Sequence, residues 1–244
     1  MAADITEDAV LGGRLRLRQP KRGHRVGHDA ILLAAATPGR AGEHAADFGA
    51  GVGAAGLALA KRVDGLKVSL VEIDPALCAL ARDNAALNDL AARITVEHHD
   101  VAKMPGQFDR VLMNPPFNDP ARTQSSPDPA RRQAHMAADD TLIAWIGAAA
   151  RVLRPNGTLT MIWRADGLAD VEAALRGAFG TVRVLPVLPK EGAEAIRVLV
   201  RAERGGERSR EVLPGLVLND PASRPTPAAE AILREGKTLP LATI

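Results

Sequence analysis

The segment Val111-Leu112-Met113-Asn114-Pro115-Pro116-Phe117 carries the most specific chemistry in the chain. Two consecutive prolines supply no backbone N–H and fix the local backbone, so they cannot extend a central strand. The segment therefore sits at the carboxyl edge of a sheet, where ligands of open α/β sheets bind. An amine conjugated to an aromatic ring or a carbonyl is a poor nucleophile, because its lone pair is delocalised. The side-chain oxygen of Asn114 and the backbone carbonyl of Pro115 can each accept one N–H of such an amine. Together they favour a pyramidal nitrogen whose lone pair points at an electrophile. Catalysis is then positioning plus hydrogen bonding, with no obligatory prior deprotonation. Phe117, one of four phenylalanines in a chain without tyrosine, can stack on a planar substrate, the general arrangement for chemistry on an extruded nucleobase. Asn114, Pro115, Pro116 and Phe117 are the catalytic candidates.

A second constellation lies upstream. Asp47-Phe48-Gly49-Ala50-Gly51-Val52-Gly53 sits where a strand turns into a helix. Glycines there let the backbone approach a ligand closely, and the helix start offers free N–H groups. Gly51-Val52-Gly53-Ala54-Ala55-Gly56 satisfies the dinucleotide-binding pattern, with Glu72 following Gly51 by 21 residues. The same loop resembles the S-adenosylmethionine loop of Rossmann-like methyltransferases, in which the acid before the first glycine lies near the cationic amino group of the cofactor. Glu72 serves both readings as a ribose ligand. Asp47 favours the second, because a carboxylate would repel a pyrophosphate. Asp100, in Glu97-His98-His99-Asp100-Val101, is the remaining acid at a strand end. His98 and His99 are not read as a metal pair, since neighbours on a strand point to opposite faces.

The elements that must position these residues are read from patterning. Strands are expected at 45–48, 66–72, 93–97, 110–113, 159–163 and 195–200, and helices at 54–63, 75–88, 141–153 and near 168–179. Asp74-Pro75 reads as an N-cap with proline at the first helical position. The helix ending at 153 is expected to stop at Pro155-Asn156-Gly157. This alternation predicts a doubly wound, parallel α/β sheet covered on both faces. Residues 1–40 read as an N-terminal extension, 41–204 as the main domain and 205–244 as a Pro-rich tail packing on it. In the extension, 11–18 alternates apolar and basic residues like a strand with one wet face, and Asp29 reads as the N-cap of a short apolar helix. In the tail, 214–227 is expected to run over the surface, and Thr226-Pro227 to cap a last helix.

Composition excludes several classes. The lone Cys78 permits neither a disulfide framework nor a multi-cysteine zinc site. No apolar run approaches a membrane span, and the acidic start is unlike a signal peptide; a cytoplasmic location is expected. Net charge is only +2, too little to predict nucleic-acid binding by itself. The distribution is more pointed, because Arg14, Arg16, Arg18, Lys21, Arg22 and Arg25 crowd together with no acid among them. They form either a solvated hairpin or a phosphate-contacting arm. Arg131 and Arg132, after the proline loop, are candidates for a second rim.

Arg25-Val26-Gly27-His28-Asp29-Ala30-Ile31-Leu32-Leu33, the glycine loop, Val71-Glu72 and Asn114–Phe117 occur in the order seen in the tRNA1(Val) adenine-N6-methyltransferase family, which the chain resembles over roughly residues 10–200. The resemblance implies a Rossmann-like class I fold, its mostly parallel sheet ending in an antiparallel strand. It implies S-adenosylmethionine as cofactor, held by Gly27, Asp47, Gly49, Ala50, Gly51, Gly53, Glu72, Ile73, Asp100, Val101 and Asn114, with Asp100 on the adenine amine and the Gly27–Asp29 segment over the methionine end. It implies an RNA partner, a tRNA methylated on the adenine next to the anticodon, with no membrane association and no obligate protein partner. The chain departs from the pattern in having His28 where threonine is expected and Phe117 where tyrosine is common, and the Pro-rich tail has no counterpart. Methylation of an rRNA guanine, a DNA adenine or a protein glutamine uses the same amine chemistry and stays open. The glutamine enzymes carry a larger helical N-terminal domain than the roughly 40 residues that precede the loop here. A nicotinamide-dependent oxidoreductase would rest on Gly51–Gly56 alone.

Overall fold

A computed structural model describes residues 4–22, 25–116 and 129–243 of the protein. Strands β1 (Ile5–Val10) and β2 (Leu15–Pro20) form an antiparallel hairpin. Alternation along β2 turns Leu15, Leu17 and Gln19 inward and Arg16 and Arg18 outward, as the sequence pattern requires. Helix α1 (His28–Ala36) comes next. Its N-cap is Gly27 rather than Asp29; Asp29 lies in the first turn, where its carboxylate favours the helix dipole and pairs with Arg197 at 3.1 Å.

The main sheet is built from β3 (His44–Phe48), β4 (Lys67–Glu72), β5 (Ile94–His98), β6 (Phe108–Met113), β7 (Leu153–Arg164), β8 (Phe179–Lys190) and β9 (Arg197–Arg204). Their spatial order is β8-β9-β7-β6-β3-β4-β5, and β9 runs antiparallel to both of its neighbours. That is the doubly wound α/β class expected from the sequence, with the antiparallel terminal strand. Helices α2 (Ala54–Arg62) and α3 (Pro75–Leu87) cover one face together with α1 and β2, around an Ala/Leu/Ile core. Helices α4 (Pro129–Val152) and α5 (Leu168–Leu175) cover the other, over Phe48 and Trp163, both fully buried. The chain direction across the sheet reverses between β3 and β6, which lie side by side and parallel. In doubly wound sheets ligands bind outside the carboxyl ends of the strands at such a switch point.

Several elements differ from expectation for local reasons. Helix α4 begins twelve residues earlier than expected and ends at Val152. Pro155-Asn156-Gly157 is not a break between helix and strand; it lies inside β7, where the register against β6 shifts and Asn156 takes φ +63°. Strand β8 escapes the apolar-run criterion because Pro186 and Pro189 punctuate it. The tail adds β10 (Arg210–Val212) and β11 (Leu216–Asn219), both parallel to β8, and α6 (Pro227–Leu233). Thr226 caps α6 as expected, its hydroxyl accepting the Ala229 N–H at 3.1 Å. The tail is not merely superficial: Leu216, Ile232, Leu239 and Leu241 are buried in the core that contains α1.

Candidate active site

Register places the residues at the carboxyl edge of the sheet. Phe48 is paired with Val71 on one side and Met113 on the other. The next residues out are Gly49, Glu72 and Asn114, so three adjacent parallel strands deliver them to one edge. Gly49, Gly51 and Gly53 have φ of +68°, +57° and +90°, which only glycine adopts without strain. The Gly49 and Ala50 N–H groups both donate to the Val71 carbonyl, at 2.9 and 3.0 Å, and tie the loop to β4.

Glu72 holds the loop from the other side. Its Oε2 accepts the Gly51 N–H at 2.8 Å, and its Oε1 accepts those of Ile73 and Asp74 at 2.8 and 2.9 Å. A carboxylate has about four acceptor positions; three are used, and the open one is on Oε2. Beside it Ile73 is 65% exposed, an aliphatic surface suited to a planar group. Asp47 is buried, and its Oδ2 accepts the Gly56 N–H at 2.8 Å. Burial pushes its carboxyl up to about 7, the Gly56 hydrogen bond opposes that, and the charge of Glu72 adds to the rise. Asp100 caps a short turn through the Ala102 N–H at 2.9 Å, keeps its second oxygen toward Lys103 at 3.7 Å, and precedes the buried Val101. Gly27, at the start of α1, has open space where a side chain would stand.

The Oδ1 of Asn114 is buried and has no hydrogen-bond partner among the described residues. A buried carboxamide oxygen without a donor is costly, and here it leaves an unused acceptor at the end of β6. Pro115 is buried and Pro116 is exposed. Phe117 and the side chains of Arg131 and Arg132 lie outside the described residues. His98 and His99 each bond a backbone carbonyl, of Ile73 at 2.9 Å and of Asp100 at 3.0 Å.

The chain matches the methyltransferase small domain family across residues 24–189. It belongs to that family. The protein is similar to the tRNA1(Val) (adenine(37)-N6)-methyltransferase of Serratia proteamaculans, with 31% identity over 186 residues covering 74% of this chain and 71% of that one. Its similarity to the enzyme of the same name from Dickeya chrysanthemi is 29% over 221 residues, covering 86% and 87%. Among solved structures, one described as a predicted O-methyltransferase from Agrobacterium tumefaciens superposes with a TM-score of 0.72 at 27% identity, covering 86% of this chain and 98% of that one. The TrmN structure from Thermus thermophilus, at 20% identity, shares the fold with a TM-score of 0.53 over 72% of this chain and 47% of that one. The protein is an S-adenosylmethionine-dependent methyltransferase.

Two features of the methyltransferase were not read from its sequence. Trp145 of α4 lies against Gly49, so that a Cβ there would run into the indole ring; the clue was that the chain has only two tryptophans. The other is the charge balance of the hairpin. Arg16 and Arg18 both pair with Glu7 of β1, Lys21 with Asp4 at 3.1 Å and Arg25 with Asp8 at 2.8 Å. The acids missing from the basic stretch come from β1 and the residue just before it.

Proposed function

We propose that the methyltransferase transfers a methyl group to the exocyclic amine of adenine in a tRNA, next to the anticodon. The observation that carries this reading is the unpartnered, buried Asn114 Oδ1 one residue beyond the β3–β6 pairing, beside the glycine loop. The activity named for the relatives supports adenine N6 as the acceptor. S-adenosylmethionine supplies an electrophilic methyl. Asp47 would face its amino group, the Gly49–Gly53 backbone its methionine portion, Glu72 its ribose, Ile73 one face of its adenine and Asp100 the adenine amine.

The chain's own contribution is geometric. Asn114 Oδ1 and the Pro115 carbonyl accept the two N–H groups of the substrate amine and draw the nitrogen out of conjugation with the ring. The prolines fix both acceptors, so little reorganisation is needed as charge develops on nitrogen. A carbonyl and a carboxamide stabilise that positive charge without taking the proton first. Phe117 would stack on the base. Incubation with radiolabelled S-adenosylmethionine and unmodified tRNA transcripts tests this directly. The label is expected as N6-methyladenosine in tRNA1(Val), and appearance instead in rRNA guanine, DNA, protein glutamine or a hydroxyl acceptor would overturn it. Asn114→Ala should lower turnover by about 10- to 100-fold, one hydrogen bond to a developing charge being worth roughly 1.5–3 kcal/mol. RNA affinity should change far less, because that bond strengthens as the amine pyramidalises.

A further inference from the structure

A cleft of 430 Å³ lies between α1, α2, the turn at Leu11–Gly13 and the C-terminal segment around α6. Its floor includes Ile31 and Ile232, and its charged lining consists of Arg14, Lys61, Arg62 and Lys237, with no carboxylate. Among the described residues none of these four cations forms an ion pair. Arg14 donates to the carbonyl of Glu235, and Arg62 to those of Ala34 and Thr37, while Arg62 Nε is buried without a partner. The hairpin cations behave differently, since Arg16, Arg18, Lys21 and Arg25 are each matched by an acid on or beside β1. Cations neutralised at contact distance project little field, whereas unmatched ones on a low-dielectric wall attract polyanions. Helix α2 links this cleft to the active site: it starts at the glycine loop and ends at Arg62, a rise of about 13 Å at 1.5 Å per residue. That is a span of a few nucleotides.

We propose that this cleft is an RNA docking site, taking the sugar–phosphate backbone of the substrate a few nucleotides away from the base held at Asn114. Phosphates meet Arg14, Lys61 and Lys237, and the aliphatic floor packs against ribose or base faces. The inference rests on the RNA reading of the function. The aliphatic floor has no group with which to read a base edge, so recognition there depends on charge and packing and not on sequence. Residues 11–14 and 232–237 of the lining fall outside the 24–189 family match, so the flanks of the chain complete the site on the domain.

Anisotropy of a labelled, unmodified tRNA1(Val) transcript across a potassium chloride series tests it. Lys61 and Lys237 are exposed, so the double variant Lys61→Gln/Lys237→Gln is expected to fold and to bind S-adenosylhomocysteine as the wild type does. Its RNA affinity should fall, and the slope of log K against log salt should drop by about two, near 0.9 per lost phosphate contact. Arg16→Gln/Arg18→Gln should leave the slope unchanged. Bound transcript should also protect Lys61 and Lys237 from acetic anhydride. RNA binding by Lys61→Gln/Lys237→Gln with the wild-type slope overturns the docking site and leaves the RNA reading standing. Failure of the wild type to bind any transcript overturns both.

Discussion

Asp47 is the buried carboxyl proposed to face the amino group of the cofactor, and in that role it would link folding to cofactor binding. Its value near 7 in the folded chain lies above the ordinary unfolded value, so the folded state holds the proton more tightly. The stability this contributes is complete below about pH 4 and is lost as pH rises through 7. The thermal midpoint of the ligand-free methyltransferase should therefore decline between roughly pH 5 and 7.5, and Asp47→Asn should flatten that decline. A cationic amino group beside Asp47 favours the ionised form. S-adenosylhomocysteine affinity should then rise with pH up to about 7, by at most tenfold per unit, with proton release visible by calorimetry in buffers of different ionisation enthalpy. A pH-independent affinity would separate Asp47 from the amino group. At the same scale, Glu72→Ala removes one open acceptor and strands three backbone N–H groups. It should weaken S-adenosylhomocysteine binding and also lower the unfolding midpoint in urea. The types and spacing of these residues were legible in the sequence. The three N–H groups that occupy Glu72 were not, because they come from the path of the backbone after β4 and in the loop.

Among elements, the docking of the hairpin depends on two asparagines one turn apart on α3 and at its end. Asn84 accepts the Arg18 N–H at 2.7 Å and donates to the Arg18 carbonyl at 3.0 Å, while Asn88 does the same for Arg16 at 2.9 and 2.7 Å. Their carboxamides stand in for a third strand along the free edge of β2, where unpaired backbone groups would otherwise be exposed. Asn84 also donates to the Val52 carbonyl inside the glycine loop, at 3.0 Å. Asn88→Ala should cost about 1–3 kcal/mol, measured by urea unfolding, by leaving the part-buried Arg16 backbone groups and the buried Asn84 carbonyl without this partner. Asn84→Ala should cost at least as much and in addition reduce S-adenosylhomocysteine affinity, which Asn88→Ala should leave alone. The wet and dry faces of β2 were readable from alternation alone. The acids opposite its arginines were not, because which residues face each other is set by hairpin register (Glu7 against Arg18) rather than by proximity in sequence. The same limit applies to β8, whose prolines signal a break but lie in a strand that the tail then extends.

For the whole molecule, the two flanks of the sequence meet. Arg14 reaches the Glu235 carbonyl, a Cβ on Gly12 would lie 2.8 Å from the Arg234 carbonyl oxygen, and the Leu239 N–H donates to the Ala35 carbonyl at 2.9 Å. Removing residues 220–244 should therefore destabilise the entire fold, because Ile232, Leu239 and Leu241 each lose burial worth roughly 1.5–3 kcal/mol. A thermal midpoint equal to that of the full chain would show the tail to be dispensable. The composition of the tail pointed to a surface segment, since proline and polar residues dominate it. Its few leucines and isoleucines carry the packing, and their partners on α1 are some 200 residues away in the chain.

The contact between Trp145 and Gly49 has an optical consequence. With no tyrosine and two tryptophans, the intrinsic emission of the protein comes from two indoles. Trp163 is sealed in the core, and Trp145 is half-buried against the glycine loop proposed to hold the cofactor. In a Trp163→Phe variant, the remaining fluorophore rests on the first glycine of that loop. Titration with S-adenosylhomocysteine should change its intensity or emission maximum along a saturating curve whose midpoint agrees with calorimetry, so the enzyme would report its own cofactor occupancy without a label. An emission spectrum indifferent to saturating ligand would mean that the indole does not sense the occupied loop.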